Sequence, residues 1–281
     1  MKNLKYILTT SLLLIALSSC STQTAPIETT PEKVATTTPS VGKTYQEIFP
    51  DNPCPFPPTQ ILMFHYIRTV DKTKDLLGYN LSFDPKSFEE LLKSLKEYGY
   101  ATTHVKSLLD CSVFSKDLGI ILTFDDGYED FYTTAWPLLK KYGFTASIAI
   151  ITGKMDGKDY MTPDQVVDLH NQGVEILDHT INHVDLSTSP NALKEITDSK
   201  KYLEDLLKEE INILVYPSGK YNAKTVQLAK DAGYKIALTT KLGTAKNTQY
   251  LFELPRIRVD NRDSVKNIME KIKPWGGLYG L

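Results

Sequence analysis

From about residue 54, short apolar runs alternate with amphipathic stretches. The runs "ILMFHY", "YATTHV", "GIILTF", "FTASIAII", "VEILDH", "INILVY", "YKIALTT" and "LPRIRV" read as strands, and the stretches between them have helical period. Start signals for helices stand at Asp84-Pro85, at a capping box from Thr162 to Gln165 and at Ser189-Pro190, while Gly99, Gly143, Gly173 and Gly233 mark stops. Repeated strand–helix units predict a parallel sheet. Seven or eight such units in roughly 230 residues favour closure into a (β/α) barrel, with an open doubly wound sheet as the alternative.

The N-terminus has a different texture. Lys2 and Lys5 precede the apolar stretch "YILTTSLLLIAL", too short to span a bilayer comfortably and built like a secretory signal. Residues 21–50 are rich in Thr, Ser and Pro without apolar periodicity, which predicts a flexible tether. The expected organisation is a signal over 1–20, a tether over 21–50 and one folded domain over 51–281. Cys54 and Cys111 could pair in an oxidising compartment, but two thiols without a framework leave unpaired burial equally open.

Composition narrows the partners. With 41% hydrophobic residues, 23% charged and a formal net charge of -2, the chain has no basic surplus for capturing nucleic acid. It also carries neither GxGxxG nor GxxxxGK[ST], so nucleotide binding has no motif to support it.

Candidate chemistry lies where strands end. Asp125-Asp126 follows "GIILTF", His179 and His183 in "DHTINH" follow "VEIL", Tyr216-Pro217-Ser218-Gly219 follows "INILV", and His65 follows "ILMF". The C-terminal ends of parallel barrel strands share one face, where barrel enzymes keep their active sites. Taken singly each group is ordinary: a solvated turn, a chance histidine pair, a partly buried histidine. Together, two neutral imidazoles and a carboxylate make an open three-ligand site for a divalent ion. If Asp126 faces that ion, Asp125 is left as a general base. His104 and His170 have no motif around them and receive no role.

"TFDDG" (123–127), "HTINH" (179–183) and "YPSG" (216–219) resemble motifs of the polysaccharide deacetylases, the NodB-homology enzymes of carbohydrate esterase family 4. "ILMFHYI", "FDPKSFEELLKSLKEYGY", "AWPLLKKYGFTASIAI", "MTPDQVVDLHNQG" and "LPRIRV" are similar to the subgroup acting on poly-β-1,6-N-acetyl-D-glucosamine, and the resemblance spans nearly all of residues 55–260. It implies a distorted barrel with circularly permuted motifs and metal-dependent removal of acetyl groups, most readily with Zn2+. Asp125 would be the base, Asp126, His179 and His183 the ligands, and His65, on an early strand, the acid. Tyr216, Pro217 and Ser218 would border the oxyanion, held by a backbone N–H. Val215 stands where most relatives have an arginine, and Arg256 in "LPRI" is the candidate to replace it.

Other expectations stand beside this resemblance. "LSSC" resembles a lipobox, making Cys20 a lipidation site and the protein an exported, membrane-anchored one, facing the periplasm from an outer membrane or lying on the cell surface. The polysaccharide's synthesis or export machinery would be a separate partner. Tyr128, Trp136, Tyr216 and Tyr221 are candidates to stack on sugar faces or simply to pack. Asp178 is expected either behind the first ligand histidine or exposed beside it. Peptidoglycan, chitin oligomers or another envelope amino sugar remain alternative substrates, and a non-catalytic polysaccharide-binding lipoprotein is the alternative of another class.

Overall fold

A computed structural model describes residues 58–109, 118–246 and 251–272. The expected signal and tether, together with Cys20, Cys54 and Cys111, lie outside these residues. Eight strands, all parallel, run in the order β1, β8, β7, β6, β5, β4, β3, β2, and β1 pairs directly with β3. That pairing closes a ring of seven, leaving β2 (Tyr100–Thr103) outside, hydrogen-bonded to β3 alone. The ring consists of β1 (Gln60–Phe64), β3 (Leu118–Phe124), β4 (Ser147–Ile150), β5 (Glu175–Asp178), β6 (Ile213–Val215), β7 (Ile236–Leu242) and β8 (Leu254–Arg258).

The apolar runs are continuous because each strand is buried on both faces. Ile61, Ile121, Ala149, Leu177, Ile213, Val215, Ile236, Leu238 and Leu254 form the interior cluster. The residues between them, among them Leu62, Ile120, Leu122, Ile148, Ile176, Leu214 and Ala237, join the outer core beneath the helices. This is the period-2 alternation of a strand, folded into a closed ring. Val105 and Leu108, from the turn Val105–Leu109, and Leu251 also belong to the interior cluster. Val105 N–H and Lys106 N–H donate to Glu175 at 2.7 and 2.9 Å, holding the turn at the N-terminal ends of β4 and β5.

Helices α1 (Leu76–Leu81), α2 (Pro85–Glu97), α3 (Trp136–Tyr142), α4 (Pro163–Asn171), α5 (Ala192–Leu207), α6 (Ala223–Asp231) and α7 (Val265–Ile272) flank the ring. Asp84 caps α2, and Thr162 with Gln165 forms a reciprocal capping box on α4. Gly143 ends α3 at φ 73°, a conformation glycine adopts without strain. The expected start at Ser189-Pro190 is displaced. Ser189 Oγ instead accepts Asn191 N–H in a preceding turn, and α5 begins at Ala192. Among the described residues no helix is long and apolar enough to cross a membrane.

Candidate metal and catalytic centre

Alternation builds the site. Inward positions continue from Met63 to His65 on β1, from Thr123 to Asp125 on β3, from Leu177 to His179 on β5 and from Leu254 to Arg256 on β8. Asp126 would then point outward, away from its neighbour. Its φ of 77°, followed by Gly127 at 80°, turns the chain so that both carboxylates address the same centre. Thr180, His183 and Ser218, also at this rim, share the left-handed region at 68°, 57° and 53°. Such conformations are costly for residues with a Cβ and gather where structure is committed to function.

Asp125 is clamped. Arg256 Nη1 donates to Oδ1 and Nη2 to Oδ2, both at 2.7 Å. The guanidinium is itself fixed, with Nη1 donating to Thr123 Oγ1 at 3.1 Å and Nε to Thr239 O at 2.9 Å. A register shift between Leu238 and Leu242 of β7 lies at this carbonyl. Burial alone would raise the Asp125 pKa, but Arg256 overrides it and holds the carboxyl well below the usual range.

Asp126 faces the two histidines. Its Oδ1 lies 3.3 Å from His179 Nε2 and 3.5 Å from His183 Nε2, is buried, and has no hydrogen-bond partner among the described residues. His179 Nδ1 is 2.7 Å from Val215 O, an acceptor only, so Nδ1 carries the hydrogen and the neutral ring aims the Nε2 lone pair at Asp126. Converging lone pairs repel unless a cation lies between them. Burial lowers the His179 pKa, but Asp126 and Asp125 outweigh it and raise it, the sign of a place that favours positive charge. Donor types, spacing within 4.8 Å and the orphaned carboxylate oxygen therefore fit a divalent metal.

His65 completes the rim. Burial pushes its imidazole below the ordinary value, opposed by Asp125 and Asp126, and Nδ1 is buried without a partner among the described residues. At the end of β6, Tyr216 N–H donates to Leu238 O, Gly219 N–H to Tyr216 O and Lys220 N–H to Pro217 O. Pro217 has no N–H to place, and that of Ser218 has no backbone partner among the described residues.

Several candidates face elsewhere. Tyr216 follows the outward parity of Leu214, is fully buried in the outer core and stacks on Tyr221 at 4.5 Å, so its ring offers no face to a sugar. Trp136 is likewise buried and donates through Nε1 to Gln172 at 2.8 Å. Asp178 is not exposed. It points outward from β5, accepts hydrogen bonds from Thr180 N–H, Ser199 and Tyr234, and burial pushes its pKa up to about 6.

Tyr128 lies at the rim between Tyr66 and Tyr160, which no sequence motif marks. Tyr66, directly after His65, packs against Tyr128 at 4.1 Å, and Tyr128 against Tyr160 at 4.8 Å. The Arg68 guanidinium lies 3.7 Å from the Tyr66 ring centre and pairs with Asp130. Position could have flagged Tyr66 and Arg68, which continue the strand carrying His65.

A parallel barrel with a buried carboxylate and two histidines converging at the C-terminal ends of its strands has the place of a barrel enzyme's active site and a donor set that could hold a divalent ion. The profile described as "Polysaccharide deacetylase" matches residues 115–237. YxkH of Bacillus subtilis, whose name assigns it to the polysaccharide deacetylases, is 34% identical over 204 residues, covering 71% of this chain and 70% of that protein. The Streptococcus pyogenes deacetylase PplD, solved in complex with acetate, superposes with a TM-score of 0.71 at 32% identity, over 78% of this chain and 100% of PplD. The poly-β-1,6-N-acetyl-D-glucosamine N-deacetylase of Staphylococcus aureus is 26% identical over 235 residues, 76% of this chain and 78% of that one. The chain belongs to the polysaccharide deacetylase family, and its class of activity is hydrolytic deacetylation.

Proposed function

We propose that the protein removes acetyl groups from N-acetylglucosamine units of a β-1,6-linked polysaccharide by metal-assisted amide hydrolysis. The observation that carries this reading is the meeting, at one rim, of the Arg256-clamped Asp125, the Asp126–His179–His183 cluster and His65. An ion held by that cluster, most readily Zn2+, would polarise the acetyl carbonyl and lower the pKa of a bound water from about 15.7 towards 7. Asp125, kept ionised by Arg256, takes the proton of the attacking water. The Ser218 N–H holds the negative charge that develops on the carbonyl oxygen. Protonated His65 gives its proton to the departing sugar amine, and acetate is released.

The relatives of Staphylococcus aureus named for this polymer support the substrate. A second reading keeps the chemistry and changes the polymer to peptidoglycan, chitin oligomers or another envelope amino sugar. It is favoured by the higher identity, 34% and 32%, to YxkH and PplD, whose names specify no β-1,6 linkage. The reading extends to location: lipid attached at Cys20 of "LSSC" would tether the enzyme to a bacterial membrane, within reach of its polymer and the polymer's export machinery. Loss of labelled-lipid incorporation in Cys20→Ala checks the anchor.

The test is acetate release from a β-1,6-linked N-acetylglucosamine pentamer, with and without chelator, beside Asp125→Asn and His65→Ala. Metal-dependent activity that falls in both variants supports the assignment. Activity confined to chitin or peptidoglycan fragments overturns the substrate and keeps the chemistry, whereas silence on every polymer leaves a binding protein.

A further inference from the structure

The buried face of α5 breaks its own pattern twice. Ala192, Glu195, Ile196, Ser199, Leu203 and Leu207 are spaced as an apolar stripe should be, yet Glu195 and Ser199, one turn apart, are polar. They are 5% and 0% exposed. A carboxylate so buried is unfavourable unless its hydrogen bonds are made, and Glu195 directs them to one residue. Asn182 N–H donates to Oε2 and Asn182 Nδ2 to Oε1, both at 2.8 Å. Ser199 Oγ donates to Asp178 Oδ2 at 2.7 Å, and Asp178 Oδ1 accepts Thr180 N–H at 2.6 Å. Both polar positions of the helix thus end on residues 179–183, the segment carrying His179 and His183.

That segment needs holding. Thr180 and His183 have φ of 68° and 57°, and the segment belongs to no helix or strand. Thr180 O accepts Thr152 N–H at 3.0 Å, Ile181 O accepts Gly153 N–H at 2.9 Å, and His183 N–H donates to Thr180 Oγ1 at 3.1 Å. Gly153 is matched to this contact, since a Cβ there would lie 2.6 Å from Ile181 O. The N–H groups of Thr180 and Asn182 depend on the acceptors that α5 supplies or supports.

We propose that Glu195, seconded by Ser199 through Asp178, is a positioning residue that fixes the 179–183 turn with both imidazoles converging on Asp126, and so sets the affinity of the centre for its divalent ion. The proposal rests on the reading of Asp126, His179 and His183 as ligands. A residue that mattered only to the fold could be exchanged for an apolar one at a cost in stability, since the Asn182 donors lose their acceptor, but without touching the metal affinity of the folded protein. Affinity, measured beside stability, therefore separates the two roles.

The experiment measures Zn2+ affinity of the full-length chain against a chromophoric chelator, for wild type, Glu195→Met, Glu195→Gln and His179→Ala, with urea unfolding of each metal-free protein. Glu195→Met is expected to unfold at lower urea when metal-free and, under conditions where it is fully folded, to bind Zn2+ about 10- to 100-fold more weakly. Glu195→Gln, which keeps one acceptor oxygen, should fall between. Wild-type affinity in Glu195→Met overturns the proposal, and should that variant not fold, wild-type affinity in Glu195→Gln does the same. A wild type that binds no Zn2+, or a His179→Ala that binds as tightly, overturns the ligand assignment and this proposal with it.

Discussion

Replacing Arg256 with methionine asks whether the clamp on Asp125 governs the chemistry. The pair is almost fully inaccessible and bidentate, with both N–O distances at 2.7 Å. With charge centres roughly 4 Å apart, an effective dielectric near 20 gives an attraction of about 4 kcal/mol, equivalent to roughly 3 pKa units. Without Arg256, the burial that opposes ionisation of Asp125 is unbalanced. Stranding one buried charge costs about 3–5 kcal/mol at pH 7, where the carboxyl must ionise or take up a proton.

The sign differs between the two proteins. In wild type the Asp125 pKa is depressed, so its contribution to stability is present above the unfolded value of 3.8 and is lost only in strong acid. In Arg256→Met the pKa moves above the unfolded value, so the deficit grows as pH rises past it. Urea unfolding of the metal-free chain should therefore show Arg256→Met less impaired at pH 5 than at pH 7, and Asp125→Asn/Arg256→Met should recover much of the loss. An unclamped Asp125, free to leave the line of attack, should lower kcat/KM at pH 7 by at least about 10-fold and move the acid limb of the pH profile to higher pH. Unchanged kcat in Arg256→Met or Arg256→Ala would refute the reasoning, as would a stability loss equal at both pH values and untouched by Asp125→Asn.

Further outcomes follow from other parts of the site. Ser218→Gly should keep activity and stabilise the fold by about 0.4–1 kcal/mol, because φ is 53° and only the backbone N–H is used, whereas Ser218→Pro should abolish turnover; thermal melts and acetate release read both. Zn2+ at 100 times its Kd should stabilise wild type by about 2.7 kcal/mol in a melting assay, and His183→Ala should lose that gain. Burial raises the Glu175 pKa, so its folded form holds a proton more tightly than the unfolded chain, and this group's contribution to stability should fall as pH rises above 4.5; Glu175→Gln should remove that slope in urea titrations at several pH values. Trp136→Phe should lose roughly 1 kcal/mol with its bond to Gln172 and leave KM unchanged, since the indole is buried in the outer layer.

Periodicity made the barrel legible. Strand–helix alternation predicted a parallel, closed sheet, and the capping signals at Asp84 and Thr162 located two helix starts. Less visible was which face each rim residue takes, although the information is present: counting by twos from Leu214 sends Tyr216 outward, and from Leu254 it sends Arg256 inward. Parity fails where the backbone turns left-handed, as at Asp126, and no propensity announces that for aspartate. Glu195 was illegible for another reason. It sits on a helical stripe that reads as packing, and its partner Asn182 lies between the two histidines of a motif whose spacing draws attention to its ends.

β1 closes the ring by pairing with β3 on one side and β8 on the other. His65 follows this strand, Asp125 N–H donates to Phe64 O at its end, and the clamp on Asp125 comes from β8. The rim thus joins the first strand among the described residues to the last, with every other strand between them in sequence, so these contacts are the slow, long-range kind in folding. A chain still emerging, or one with β1 peeled away, can hold most of its helices and sheet yet has no intact base clamp. Turnover is therefore a late signal of maturation and an early casualty of unfolding, sensitive to fraying at a single seam that bulk helical content would not register.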